Sequence, residues 1–361
     1  MKLVVFGLTV TSSWGNGHAT LWRGLIRALS RLGWQVVFFE RDVPYYADHR
    51  DLTALPGADL RLYPDWETVK AEARAQVRSA DAAMVTSYCP DGPAACRLVW
   101  DEAATSIFYD MDTPVTLARL AAGEAVAYLP PEGLSPFDLV LSFTGGRALT
   151  ELEARLGARR ARPLYGHVDP DHHRPAPPDP RFKAALSYLG TYAADRQAAL
   201  EALLIEPARR RPDLKFLIGG SGYPEAFPWA DNIWFARHVA PSEHPAFFAS
   251  SRLTLNVTRA DMAAFGWCPS GRLFEAAACG APVLTDTWDG LDAFFTPGRE
   301  VLTAERAEDT LAALQREDLA AIARAARERT LDEHTSDRRA RELVAFLEDA
   351  RRSASLAAAG G

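Results

Sequence analysis

Two rounds of alternation between short apolar strands and amphipathic helices constrain this chain most strongly. In the first round, the predicted strands are residues 3–10, 35–40, 60–63, 82–88, 106–109 and 139–143, with helices at 18–31, 66–79 and 93–102. In the second round, the predicted strands are 186–189, 216–218, 233–235, 253–257 and 282–285, with helices at 196–204, 273–278 and 318–352. Continuous apolar strands separated by helices indicate parallel sheets covered on both faces.

A proline-rich stretch, residues 169–180 (DPDHHRPAPPDP), separates the two rounds and cannot continue a helix or a central strand. The chain has 361 residues, which suits two domains. We therefore predict an α/β fold of two Rossmann-like, doubly wound domains that face a cleft, 1–170 and 171–361, with C-terminal helices able to cross back. Ligands of such sheets bind at the carboxyl ends of strands, so the loops after strands are where chemistry is expected.

Composition narrows the classes of partner. The formal net charge of −7 argues against binding to nucleic acid or to an anionic membrane surface. Four cysteines without a C-x-x-C pair argue against a zinc site and a disulfide framework, and reduced thiols are typical of the cytosol. The sequence shows no run of 18 apolar residues and no secretory leader at its start. We expect a cytoplasmic protein without an integral membrane segment; its oligomeric state is open.

The loop after the first strand contains Gly15, Asn16, Gly17 and His18. Glycines let a backbone approach a ligand, and a following helix offers unpaired N–H groups to an anion. The loop is interpreted either as a tight turn with a packed His18, or as an acceptor or phosphate loop with His18 as a base or substrate contact. The glycines do not complete G-x-G-x-x-G, but Glu40 ends the second strand, so a dinucleotide dehydrogenase is a weaker alternative.

Asp110-Met111-Asp112-Thr113-Pro114 follows another predicted strand. An Asp-x-Asp pair can hold a divalent metal on a nucleotide diphosphate. Asp112 can instead contact substrate directly. The structural alternative is a helix start, with Thr113 as N-cap and Pro114 at the first helical position.

Gly190-Thr191, at the first strand–helix junction of the second half, can expose a backbone amide and a hydroxyl to a phosphate. Arg196 can add a planar charged fork. The structural alternative makes Asp195 an N-cap and Arg196 a solvated helix residue.

The most informative segment is P-S-G-R-L-F-E-A-A-A-C-G-A-P-V-L-T, residues 269–285, preceded by N-V-T-R at 256–259. A Ser270-Gly271 helix start suits a diphosphate. Glu275 lies one turn into the helix amid an apolar face, where its carboxylate could accept hydrogen bonds from both hydroxyls of a ribose. The alternative for Glu275 is a solvated helix acid.

This segment resembles the nucleotide-sugar-binding segment of GT-B glycosyltransferases, and more closely that of the CgeB-like (spore maturation protein type) group. The stretches Y-L-G-T-Y-A-A-D-R, L-N-V-T-R and F-T-P-G-R-E support the resemblance over residues 185–305, and F-Y-D-M-D-T-P supports it in the first half. The resemblance implies that Glu275 binds the ribose of a nucleotide-sugar donor. It implies a diphosphate site formed by Arg196, Arg259, Ser270, Gly271 and Arg272, and a base bordered by His238 and Val239. Gly190 and Thr191 complete the donor-site candidates.

The resemblance also implies that the first half holds the acceptor, with the loop 15–18 near the reacting centre. One position departs from the pattern. Many retaining GT-B enzymes have a second Glu eight residues before the ribose-binding one, and this chain has Trp267 there. The stereochemical outcome is therefore open.

We predict a metal-independent hexosyltransferase without a cofactor, which moves a sugar from a nucleoside diphosphate to an acceptor hydroxyl. His18, Asp112 and Arg272 are the candidate catalytic residues, with arginines and a helix start neutralising the leaving group in place of a metal. The alternatives are a GT-B-like sugar-nucleotide epimerase, a two-domain protein that binds a small ligand without chemistry, and a metal-dependent Asp-x-Asp transferase.

Overall fold

The computed structural model describes residues 1–359, with side chains to Ser353. The chain divides into two compact units. The first comprises Met1–Tyr165 and the chain from Ser336 onward, and the second comprises Gly166–Thr335. The boundary between the units thus lies at Tyr165–Gly166, before the proline-rich stretch, and the C-terminal segment groups with the first unit, as helices that cross back would.

Thirteen strands form in the described residues: β1 (Lys2–Gly7), β2 (Gln35–Arg41), β3 (Ala58–Tyr63), β4 (Ala82–Thr86), β5 (Ser106–Asp110), β6 (Leu139–Ser142), β7 (Ala161–Pro163), β8 (Ala184–Leu189), β9 (Phe216–Gly219), β10 (Ile233–Ala236), β11 (Ser251–Asn256), β12 (Val283–Thr285) and β13 (Leu302–Thr303). The α-helices of these residues are α1 (His18–Arg31), α2 (Pro44–Ala47), α3 (Trp66–Arg78), α4 (Gly92–Glu102), α5 (Thr113–Ala121), α6 (Arg147–Leu156), α7 (Gln197–Leu200), α8 (Glu206–Arg210), α9 (His244–Ala249), α10 (Ala260–Phe265), α11 (Gly271–Ala278), α12 (Ala307–Gln315), α13 (Leu319–Glu333) and α14 (Ser336–Ala359).

The first unit contains a seven-stranded parallel sheet in the order β3-β2-β1-β4-β5-β6-β7. Strand order reverses direction between β1 and β4, which is the point where doubly wound sheets open a crevice at their carboxyl ends. The loop 8–17 after β1 and the loop 87–91 after β4 border this point. β1 and β4 are buried almost throughout, which explains their continuous apolar sequences.

The second unit contains a six-stranded parallel sheet in the order β10-β9-β8-β11-β12-β13. Here the reversal lies between β8 and β11, so the loops that begin at Gly190 and Val257 border the switch point. The predicted fold class, α/β with two parallel helix-covered sheets, is confirmed.

Two predicted helices are interrupted. The helix expected over 196–204 becomes α7, a wider π turn at Glu201–Ile205, and α8. Pro207 has no N–H for the carbonyl of Leu203, and the Thr310 hydroxyl donates to that carbonyl instead, at 3.1 Å. The helix expected over 318–352 is interrupted after Glu333, where the His334 backbone leaves the helical conformation and its carbonyl accepts a hydrogen bond from the Val168 N–H at 3.0 Å.

None of the helices in residues 1–359 combines the length and the apolar character that crossing a lipid bilayer requires.

Candidate functional site

In the second unit, helix α11 begins with a capped and partly open turn. Ser270 is the N-cap, and its hydroxyl accepts a hydrogen bond from the Arg272 amide at 3.3 Å. Gly271 is the first helical residue, so the start of the helix carries no side chain there. Unpaired amides and the positive end of the helix dipole make this turn suitable for an anion.

Glu275, one turn into α11, is only 2% exposed. The Arg272 guanidinium contacts its carboxylate directly, from a side chain that is itself partly exposed. Burial by itself raises the pKa of the Glu275 carboxyl, but the surrounding groups, Arg272 first and then His173 and His244, together outweigh it, and the pKa is lowered to about 2. Glu275 is therefore a buried and charged carboxylate, and not the solvated helix acid of the alternative interpretation.

Two buried histidines lie against the same carboxylate. His173 Nε2 is 3.8 Å from Glu275 Oε1, and His244 Nδ1 is 3.9 Å from Glu275 Oε2. The two imidazoles are hydrogen-bonded to each other, at 3.3 Å between His173 Nε2 and His244 Nδ1. Burial lowers the pKa of His173 to about 4 and that of His244 well below its ordinary value, so both rings are neutral at pH 7.

The atoms of His173, His244 and Glu275 are the one set of metal-ligating groups that lies close enough together, within 4.8 Å, in the part of the chain that the structure describes. Two imidazoles and a carboxylate are suitable ligands for zinc. However, the Glu275 carboxylate already contacts a guanidinium. A divalent ion at this position would lie beside a second cation, which disfavours a metal centre.

At the switch point of the second sheet, Gly190 lies in a tight contact that excludes a larger residue. A Cβ at Gly190 would come within 2.6 Å of the Tyr188 hydroxyl, and the Gly190 amide donates to the Gly219 carbonyl at 2.9 Å. Thr191 is exposed, and its carbonyl accepts from Arg196 Nη1 at 3.2 Å. The structure thus brings Gly190, Thr191 and Arg196 together.

Arg259 follows β11 at the same edge and pairs with Asp195, at 3.0 Å between Arg259 Nε and Asp195 Oδ2. Asp195 is therefore the partner of an arginine, and its side chain does not cap the short helical turn Ala194–Arg196. After β10, His238 is exposed and Val239 is buried.

Trp267 has an unusual backbone conformation. Its φ of 50° lies in the left-handed region, which is rare for a bulky residue, and the side chain is 38% exposed. A Cβ at Gly290 would come within 2.6 Å of the indole, and the Trp267 amide donates to the Asp289 carbonyl at 2.6 Å. The loop 289–290 thus leaves space for the indole and fixes the strained backbone.

In the first unit, the loop after β1 is closed by its own polar groups. The buried Glu40 carboxylate accepts hydrogen bonds from the Thr9 and Thr11 hydroxyls and from the amides of Val10 and Thr11. Its acceptor capacity is used within the protein, so the interpretation of Glu40 as a dinucleotide ribose ligand is wrong.

Gly15 has a φ of 60°, as a sharp turn requires, and Gly17 is open to the surroundings. The Asn16 amide nitrogen donates to the carbonyls of Thr9 and Ser12, and its oxygen accepts from the His18 amide at 3.0 Å. Asn16 thus holds the loop and the start of α1, and this use of its side chain argues for a structural role rather than direct contact with a phosphate.

His18 and Asp112 lie together, with 3.6 Å between His18 Nε2 and Asp112 Oδ2. His18 begins α1, directly after the loop that follows β1, and Asp112 follows β5; both side chains are partly buried. Tyr88, after β4, approaches the His18 ring at 6.0 Å between centroids and has a left-handed φ of 62°.

Asp110 is fully buried below this pair. Its Oδ1 accepts from the Asp112 amide at 3.0 Å, and within the described part of the chain its Oδ2 has no hydrogen-bond partner. Burial raises the pKa of Asp110 to about 6. Asp110 is not presented to the surface with Asp112, so an Asp-x-Asp metal site is not formed here. Thr113 does not cap α5 either, because its hydroxyl pairs with the Ser142 hydroxyl at 2.7 Å.

Sequence reasoning missed His173 and His244. His173 lies in the proline-rich stretch 169–180, which the sequence predicts only to separate the two rounds of alternation, whereas this stretch belongs to the second unit. The local sequence carries no signal for the contact, because only the fold brings His173 and His244 to Glu275.

Residues 196–345 match the model of a family described as "Glycosyl transferase-like". This stretch is glycosyltransferase-like. It contains α11, Glu275 and the arginines of the switch point, whereas His173 lies outside it.

Solved structures resemble the whole chain. Sucrose-phosphate synthase from Thermosynechococcus elongatus aligns with a TM-score of 0.71 at 14% identity, over 97% of this chain and 99% of that one. HepE from Anabaena, solved with UDP and glucose, gives 0.65 at 11% identity over 97% and 100% of the two chains. An α-glucosyltransferase solved with UDP-glucose and DNA gives 0.68 at 10% identity over 96% and 99%. The chain has the GT-B fold. No curated protein matches it in sequence.

Proposed function

We propose that this GT-B chain is a hexosyltransferase of the CgeB-like type that transfers a sugar from a uridine diphosphate sugar to an acceptor hydroxyl. The observation that carries the proposal is the buried, charged Glu275 beside Arg272 in the first turns of α11. A buried carboxylate at an anion-binding helix start offers acceptors to ribose hydroxyls and donors to a diphosphate within one turn. The UDP and UDP-glucose bound by structural neighbours support uridine as the nucleoside.

On the donor side, the diphosphate oxygens accept hydrogen bonds from the amides of Ser270 and Gly271 and from the guanidinium of Arg272. Arg196 and Arg259 add positive charge from the switch point, and Gly190 and Thr191 border it. His238 and Val239 border the base. Arg272 and Arg259 are paired with carboxylates in this structure, so donor binding exchanges those pairs for phosphate oxygens. This charge stabilises the leaving diphosphate without a metal or another cofactor.

On the acceptor side, the first unit holds the hydroxyl with the loop 15–18. The bond between the sugar C1 and the diphosphate oxygen breaks, and a bond forms between C1 and the acceptor oxygen. His18 takes the acceptor proton as general base, and Asp112 orients the imidazole and stabilises its charged form. Trp267 stands where many retaining enzymes have a second Glu. With His18 as a base for the acceptor, the reaction is expected to invert the configuration at C1.

The four cysteines are free and buried, as is usual for proteins of a reducing compartment, and we place the protein in the cytoplasm.

The first experiment is a thermal-shift titration with UDP, GDP, ADP and dTDP, since a ligand that binds only the folded state raises the melting temperature. We expect UDP to give the largest shift and Glu275→Gln to weaken it, while Glu328→Gln, an exposed acid on α13, leaves it unchanged. No shift with any nucleotide would contradict the proposal.

The second experiment is incubation with UDP-glucose and analysis of the products by NMR. UDP and a glucoside or free glucose support a transferase, whereas formation of an epimerised UDP-sugar would replace it by an epimerase. Activity lost in EDTA and restored by Mn²⁺ would contradict metal independence.

A further inference from the structure

Three separate elements place the two buried histidines against Glu275. His173 comes from the proline-rich stretch 169–180, His244 from the first turn of α9, and Glu275 from α11. All three side chains are almost fully enclosed. Polar groups that are buried this deeply cost stability unless they are well paired, and His173 Nδ1 has no hydrogen-bond partner among the residues that the structure describes. An arrangement that is imperfect for stability and adjacent to a candidate site points to a functional use.

The carboxylate has different neighbours on its two sides. Arg272, which is partly exposed, contacts Glu275 Oε2. The imidazoles approach both carboxylate oxygens but stop at 3.8 and 3.9 Å, just beyond hydrogen-bond distance. A carboxylate shift of less than about 1 Å would bring an imidazole N–H into contact. The two facing nitrogens share one proton in their mutual hydrogen bond, so the His173–His244 pair can offer a single N–H to Glu275 when Arg272 leaves.

Binding of the donor would separate Arg272 from Glu275. In the function proposed above, Arg272 turns from Glu275 to the diphosphate. The buried carboxylate would then lose its contact with the Arg272 guanidinium, and taking a cation away from a buried charge is strongly unfavourable. Ribose hydroxyls can satisfy only part of its acceptor capacity.

We infer that His173 and His244 are positioning residues that hold the Glu275 carboxylate in place for the ribose hydroxyls of the donor. The pair forms a support beneath the carboxylate. The inference rests on the proposed function, because it requires a nucleoside diphosphate at Glu275.

The test measures ribose recognition rather than activity. Dissociation constants are determined by calorimetry for UDP and for 2′,3′-dideoxy-UDP, and their ratio reports the contribution of the hydroxyls. We expect the wild-type protein to prefer UDP at least tenfold, and Glu275→Gln to reduce the preference to about twofold or less.

The histidine variants come in pairs. His173→Gln and His244→Asn keep a polar atom near the position of the nitrogen that faces Glu275, whereas His173→Leu and His244→Leu remove it. We expect the leucine variants to lose at least threefold of the ribose preference and the amide variants to retain most of it. His334→Gln is the matched control, since His334 is buried in the same unit and bonds the Phe294 carbonyl instead. A structural effect alone would lower stability without changing the ratio.

Several results would overturn the inference. One is an unchanged ratio in both leucine variants while Glu275→Gln abolishes it, which leaves the proposed function intact. Another is stoichiometric zinc in the purified wild-type protein that is lost in both leucine variants, which would make the cluster a metal centre. If the wild type binds none of the four nucleotides, the proposed function fails, and the inference with it.

If the leucine variants do not fold, the inference is tested by NMR of the wild-type protein labelled with ¹⁵N-histidine, which reports the ring nitrogen signals directly. UDP should shift ring nitrogen signals of His173 and His244 more than dideoxy-UDP does. Equal shifts with both nucleotides would overturn the inference.

Discussion

The Nε2 atom of His18 lies 3.6 Å from a carboxylate oxygen of Asp112, across the carboxyl ends of two strands of the first sheet. The two residues are 94 positions apart by number (112 − 18), and they meet because β1 and β5 both flank β4 in a parallel sheet, so that their carboxyl ends lie at the same edge. A neutral imidazole oriented by a carboxylate is a common general base.

We predict that His18→Ala lowers the rate of UDP release from UDP-glucose in the presence of an acceptor by about 10²–10⁴-fold, with little effect on UDP affinity. Asp112→Asn should give a smaller loss, since the imidazole remains. Asp138→Asn is the matched control, because Asp138 bonds Ser106 at the opposite, amino end of β5. Equal losses of rate and of UDP affinity in His18→Ala would assign His18 to ground-state binding instead.

The pairing of Arg272 with Glu275 predicts a non-additive effect on stability. Arg272→Ala leaves a buried carboxylate without its cation, which should lower the free energy of unfolding of the second unit by about 3–5 kcal/mol. The double variant Arg272→Ala/Glu275→Gln should recover most of this loss, because the charge is removed together with its partner. Thermal unfolding of the four proteins gives the coupling; additive effects of the two substitutions would show that the pair is unimportant for stability.

The alternation of strands and helices was sufficient to predict the two sheets, because continuous apolar strands such as β1 and β4 are buried on both faces. Helix α1 was predicted with its observed bounds, since Gly17 and Gly33 mark its ends. The short strand β13 and the helices α9 and α10 were not predicted, because two to six residues carry too little periodicity.

The local signal around residue 275 predicted a carboxylate near a helix start, and the structure places it there. It could not predict His173, which is 102 positions away by number (275 − 173), because only packing of the proline-rich stretch on the second unit brings the two together. In the same way, the use of Glu40 by Thr9 and Thr11 depends on how the loop after β1 folds back over β2.

Asp110 predicts a dependence of stability on pH. Its pKa is raised from an unfolded value near 3.8 to about 6, so the folded state binds the proton more tightly. The resulting stabilisation is fully present below pH 3.8 and is lost as the pH rises through 6. Asp110→Asn should therefore stabilise the first unit at pH 8 by about 1–3 kcal/mol and have little effect at pH 4.

Melting temperatures of the wild type and Asp110→Asn across pH 4–8 measure this difference. Asp81→Asn, at a partly exposed acid that accepts from the Lys2 amide, controls for a general charge effect. A constant difference between Asp110→Asn and the wild type at all pH values would show that Asp110 does not titrate in this range.

The strained Trp267 predicts that two glycines with similar backbone angles respond differently to alanine. Gly290 and Gly298 have φ values of 85° and 79°, so each substitution should cost about 1 kcal/mol in backbone strain. At Gly298, a Cβ would have nothing within 4 Å, whereas at Gly290 it would meet the Trp267 indole at 2.6 Å. Gly290→Ala should therefore destabilise the second unit by about 1–3 kcal/mol more than Gly298→Ala, measured by thermal unfolding. If the two variants have the same melting temperature, the indole is free to move away, and Trp267 is not held by the loop 289–290.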